Sequence, residues 1–128
     1  MYLHPEPASI RRHFARVDGR EVHYRRAGSG PAVVVLHQSP TSSAEMASVV
    51  EVLAARFTVI APDTPGYGLS DPLAAAQPEM ADYAAALAAL LDALGIARCG
   101  IYGTHTGAMI AAEFARASPR RITAAVLD

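Results

Sequence analysis

Residues Ala32–Leu36 read AVVVL, apolar at every position, and a strand with no polar side has to be buried on both faces. Similar short runs recur at Phe57–Ala61 (FTVIA), Arg98–Tyr102 (RCGIY) and Ile122–Leu127 (ITAAVL). The segments between them have a different period. Met46, Val49, Val50 and Leu53 form an apolar stripe at helical spacing, behind Ser42 as N-cap and Glu45 as the other half of a capping box. Met80, Tyr83, Leu87, Leu90, Leu91 and Leu94 form a second stripe within Glu79–Leu94, and Gly95 stops it. Gly107–Ala117 is a third, Ala-rich helix ended by Ser118-Pro119. Strands and helices that alternate with short connections predict a parallel sheet covered by helices on both faces.

Ahead of this alternation, Arg12–Val17 and Glu21–Arg26 flank Asp18-Gly19, a strong signal for a β-hairpin. Residues 1–11, with Pro5 and Pro7, read as an extended tail, and residues 12–128 as one unit.

Composition narrows the function classes. Hydrophobic residues make up 52% and charged residues 18%, which excludes intrinsic disorder. The net charge of -1 leaves no bulk basic field for a nucleic-acid backbone, so no nucleic-acid partner is expected. A single cysteine, Cys99, excludes a disulfide framework and a cysteine-built zinc site. A cytoplasmic chain is expected, with no membrane partner, because no apolar run has spanning length and the first residues lack a signal-peptide pattern.

Parallel sheets of this kind bind ligands beyond the carboxyl ends of their strands. Chemistry is therefore sought in His37–Thr41, Asp63–Asp71 and Thr104–Thr106. Gly103-Thr104-His105-Thr106-Gly107 lies between a buried strand and a helix, with glycine two residues to either side of His105. That is the frame of a nucleophile elbow, where the central residue takes a positive φ and the backbones pass too close for flanking side chains. The first strand runs into Leu36-His37-Gln38-Ser39-Pro40-Thr41, and the second into Pro62-Asp63-Thr64-Pro65-Gly66-Tyr67-Gly68-Leu69-Ser70-Asp71.

With these three loops in this order, the chain resembles the N-terminal half of the α/β-hydrolase family over about residues 12–128. LHQSPTSS is most similar to the His-Gly-x-Pro loop of epoxide hydrolases and haloalkane dehalogenases. The resemblance implies an α/β fold, a partial doubly wound and mostly parallel sheet of the α/β-hydrolase type with an N-terminal β-hairpin. Its four parallel strands would lie in the spatial order second, first, third, fourth. It implies hydrolysis of a small ester, epoxide or carbon–halogen substrate, without a cofactor. Residue by residue, it puts His105 at the attacking position and gives the oxyanion donors as the backbone amides of Thr106 and Ser39. His37, Gln38 and Tyr67 fall beside the substrate. The family places Ser, Asp or Cys where this chain has His105, and Gly where it has Gln38. The family's acid, base and lid have no counterparts in these residues. The expectation is an incomplete core, inactive by itself, whose last strand exposes an unguarded edge and self-associates.

Three readings of His105 stay open: a working nucleophile, a polar residue at an altered and non-catalytic site, or a metal ligand with His37 and Asp63. No metal is assigned. His37 is expected to pack and hydrogen-bond beneath the site. Asp63 and Asp71 read as turn formers, and His4, His13 and His23 as surface residues. Cys99 reads as a small core hydrophobe.

Overall fold

A computed structural model of the chain describes Pro7 and residues 9–128. Two antiparallel strands open the fold, β1 (Arg11–Val17) and β2 (Arg20–Ala27), joined through Asp18 and Gly19. Both turn residues have positive φ, 50° and 76°, the backbone that matches a two-residue turn to the twist of its strands. Four parallel strands follow: β3 (Ala32–Leu36), β4 (Thr58–Pro62), β5 (Cys99–Gly103) and β6 (Ile122–Leu127). The six-stranded sheet has the order β1-β2-β4-β3-β5-β6, with β2 antiparallel to β4 and the last four strands parallel. This is the expected mixed α/β sheet, and the four parallel strands lie in the expected order.

Alternation along β3 splits the core into two layers. Val35 points to the face covered by α1 (Ala47–Leu53), where it meets Val50, Val59 and Ala61. Val34 and Leu36 point to the opposite face, under α2 (Met80–Ala93) and α3 (Thr106–Ala117), among Leu87, Leu91, Ile110 and Phe114. Burying both faces is what makes β3 apolar throughout, whereas β6, apolar apart from Thr123, is exposed from Thr123 to Leu127.

Three details differ from the sequence reading. Ile10 and Arg11 do not belong to a tail: Ile10 is buried among Ala27, Val35 and Val59, and Arg11 begins β1. The rest of the expected tail, apart from Pro7 and Ser9, lies outside the described residues, and so does His4. The first helix starts as a 3₁₀ turn, Ser43–Met46, before α1. Ser42 caps it by accepting from the Ala44 amide rather than from Glu45 in a capping box. At α2 the box does form, between Glu79 and Asp82. Among the described residues no helix is long and apolar enough to cross a membrane.

Candidate active site

β5 delivers the chain to the elbow at its carboxyl end. His105 has φ 52° and ψ -117° and stands as the N-cap residue of α3. A non-glycine residue with positive φ is strained, and such strain persists only where the surroundings enforce it. Here the enforcement is visible. A Cβ on Gly103 would run into the Gly107 carbonyl, and one on Gly107 into the Leu36 carbonyl. The tip of β6 adds two bonds: the His105 amide donates to the Asp128 carbonyl at 3.0 Å and the Asp128 amide to the Gly103 carbonyl at 2.9 Å. The Tyr102 hydroxyl donates to Asp128 Oδ2 at 3.2 Å. The His105 side chain makes no cap bond and is exposed.

The loop after β3 is fixed by His37, which is buried as expected. Its Nδ1–H donates to the Gln38 carbonyl at 2.8 Å and its Nε2 accepts the Thr64 amide at 2.9 Å. This pattern needs the neutral ring. Burial pulls the His37 pKa below its ordinary value, against the opposing bond to Gln38 and the charges of Asp63 and Glu45. Gln38 and Ser39 follow, both half-buried, and the Thr41 hydroxyl donates to the Gln38 carbonyl at 2.6 Å. The Ser39 amide reaches α3 and donates to Thr106 Oγ1 at 2.6 Å. Tyr67, from the loop after β4, sets its ring edge-on to His37 with centroids 6.4 Å apart. The structure thus brings Ser39 and Thr106 into contact, and it places Tyr67 against His37.

A second cluster was not legible in the sequence. Asp63 is buried at the end of β4, and its carboxylate, expected to serve its own turn, is instead a hub that joins distant elements. Oδ1 accepts the Ser43 amide and hydroxyl, and Oδ2 accepts His23 Nδ1–H at 2.8 Å and the Leu69 amide at 2.9 Å. Arg25 donates to Ser43 Oγ at 2.6 Å and lies 3.8 Å from Oδ1. Burial alone would raise the Asp63 pKa. The bonds from Ser43, Leu69 and His23 outweigh burial and hold it below the ordinary carboxylate value. His23, expected at the surface, is fully buried beneath Phe14, 5.0 Å between ring centroids. The reason is topological: β2 is an interior strand, and the 63–71 loop folds over it through the Asp63, Ser70 and Asp71 contacts with His23 and Glu21. His13 is exposed, as expected, and Cys99 is buried in the core.

The metal reading fails on this geometry. Both His37 nitrogens are engaged by protein groups, and among the described residues no three His, Cys, Asp or Glu side chains are grouped to hold an ion. A cavity of about 30 Å³ beneath α2, lined by Arg20, Leu36, Asp63 and Leu87, has room for water but not for an organic substrate.

A parallel sheet whose third parallel strand (β5) ends in a strained elbow facing the loop after the first (β3) defines the alpha/beta hydrolase architecture. The alpha/beta hydrolase fold family matches residues 31–128, and the chain belongs to it. It is 37% identical over 123 residues to a 2-hydroxy-6-oxononadienedioate/2-hydroxy-6-oxononatrienedioate hydrolase of Pseudomonas putida, covering 89% of this chain and 43% of that one. It is 37% identical over 107 residues to the soluble epoxide hydrolase of Corynebacterium sp., covering 83% of this chain and 37% of that one. Among solved structures, a loop variant of a haloalkane dehalogenase from Bradyrhizobium elkanii superposes with a TM-score of 0.83 at 32% identity, over 94% of this chain and 40% of that one. The chain spans only 33% to 43% of the length of curated relatives such as these.

Proposed function

We propose that this chain carries the elbow and oxyanion loop of a hydrolase for a small, neutral ester, epoxide or carbon–halogen substrate, with His105 at the attacking position. The observation that carries the reading is the His105 backbone, held at φ 52° between two glycines at the carboxyl edge of the sheet. On an ester, a neutral imidazole nitrogen adds to the carbonyl carbon and the alkoxide leaves, taking by way of water the proton that the other ring nitrogen gives up. A second water then cleaves the acyl-imidazole to the carboxylic acid and restores the ring. The developing oxyanion falls to the Thr106 amide, which as the first residue of α3 has no partner within the helix, together with the Ser39 amide. Gln38 and Tyr67 border the substrate. The relatives named above are more than twice as long, and the 128-residue chain by itself is proposed not to turn over.

Phenylacetamide, a slowly hydrolysed stand-in for an ester, tests the site. In an amide-resolved NMR titration it should shift Gln38, Tyr67, His105 and Thr106 ahead of the rest of the chain. Shifts confined to other residues, or none at all, would remove this reading. A second reading, a non-catalytic chain that keeps the scaffold, gains support from the bond between the Ser39 amide and the Thr106 hydroxyl.

A further inference from the structure

We infer that the Thr106 side chain closes one of the site's two backbone donors, so that a ligand oxygen reaches the Ser39 amide only by displacing the Thr106 hydroxyl. This rests on the site assignment just proposed and deepens it. The Ser39 amide has one proton, and at 2.6 Å that proton is committed to Thr106 Oγ1. The contact joins the tip of the loop after β3 to the first residue of α3, 67 positions apart. Thr106 has little freedom to leave. Its backbone is fixed by the elbow, and a β-branched side chain on a helix has few χ1 wells. Among the described residues the Thr106 hydroxyl proton is given to no acceptor, so Thr106 holds Ser39 without itself being tied elsewhere. At rest the site therefore offers the Thr106 amide alone. The ligands it favours carry an oxygen basic enough to replace a neutral hydroxyl on Ser39: a carboxylate, or the oxyanion that develops on an ester carbonyl. A neutral carbonyl or ether oxygen competes poorly, because hydrogen bonds to charged acceptors are the stronger ones.

The test uses the 128-residue chain, its Thr106→Ala and Thr106→Ser variants, and acetate as the probe. In the parent chain the Ser39 amide should exchange slowly with solvent. In Thr106→Ala its exchange should rise about tenfold, acetate should shift it, and acetate should bind roughly three- to tenfold more tightly, the worth of one neutral hydrogen bond. Thr106→Ser, which keeps the hydroxyl, should behave as the parent. Equal Ser39 exchange in the parent and Thr106→Ala, equal acetate response in all three chains, or no response of Ser39 in Thr106→Ala would each overturn the inference. Should Thr106→Ala fail to fold, Thr106→Val removes the hydroxyl at constant shape, and the Ser39 exchange rate alone decides. None of these readouts needs turnover or a neutral substrate, so failure of the phenylacetamide titration would count against the hydrolase reading and leave this one standing.

Discussion

Asp63 Oδ1 accepts both the amide and the hydroxyl of Ser43, at 2.9 and 2.6 Å. With Oδ2 on Leu69 and His23, one buried carboxylate ties together the loop before α1, the loop after β4 and strand β2. Both loops that border the candidate site thus hang on a single side chain.

Asp63→Asn should accordingly be among the most damaging substitutions outside the elbow. The amide presents an NH₂ group to donors that need an acceptor, and it removes the negative charge that faces His23 and Arg25. Removing one partner of a buried ion pair costs about 3–5 kcal/mol. Urea unfolding of the variant measures it, and a loss under about 1 kcal/mol would show the network to be dispensable.

Stability should fall as pH falls, in two stages. The folded His37 pKa lies below its ordinary value of 6.5, so the unfolded chain takes up that proton first. Its contribution is complete above about 6.5 and is lost as pH falls through the folded value. The Asp63 pKa is also depressed, from an ordinary 3.8, so its contribution is complete above about 4 and is lost in stronger acid. Urea midpoints between pH 7.5 and 3 check both stages, and His37→Gln should flatten the first. A midpoint that rises from pH 7 to pH 5 would contradict the neutral, doubly bonded His37.

The elbow glycines should be far less replaceable than the hairpin glycine. Gly19 has φ 76° and open space around it, so Gly19→Ala costs only backbone strain, about 1–2 kcal/mol. At Gly103 and Gly107 a Cβ meets the backbone of a neighbouring element, and there is no side chain to move aside. Overpacking of this kind costs about 1–3 kcal/mol or more, and here it also displaces the helix that carries Thr106. Thermal unfolding of the three variants should rank Gly19→Ala as the mildest, and the reverse order would remove the elbow frame.

We propose that the 128-residue chain associates through β6. That strand pairs with β5 alone, and Val126 and Leu127 are 57% and 52% exposed. The other edge strand, β1, exposes Arg11, Arg12 and Arg16, which guard it. Sedimentation should show Ala125→Lys more monomeric than the parent, and Ala112→Lys on the exposed face of α3 unchanged. A parent chain that is monomeric at micromolar concentration would contradict this.

The strands and their order were legible because a doubly buried strand is apolar throughout, as Val33–Leu36 is, and because crossovers have a fixed hand. His105 was legible through the glycines around it, since close backbone approach leaves a local trace. The Asp63 cluster was not. Its members come from β2, the Ser43 turn and the end of β4, and no spacing links them. His23 looked solvent-facing in an alternating hairpin because the loop that covers it lies some forty residues on, at Asp63. Ser43 also explains the 3₁₀ start of the first helix: its amide and hydroxyl are both drawn to Asp63, and the turn is tightened with a bond from the Glu45 amide to the Ser42 carbonyl. Thr106 on Ser39 was hidden for the same reason as Asp63 on Ser43, a long-range contact between two residues that are individually unremarkable.

The most direct measurement is p-nitrophenyl acetate hydrolysis by the 128-residue chain, side by side with His105→Ala. The account predicts that the elbow is built but the working centre is incomplete in these residues. Both proteins should therefore match the uncatalysed rate, even though complete enzymes stripped of triad members keep about 10³–10⁴-fold over water. A parent rate clearly above background that is lost in His105→Ala would contradict this, and would make His105 a working nucleophile in the chain as it stands.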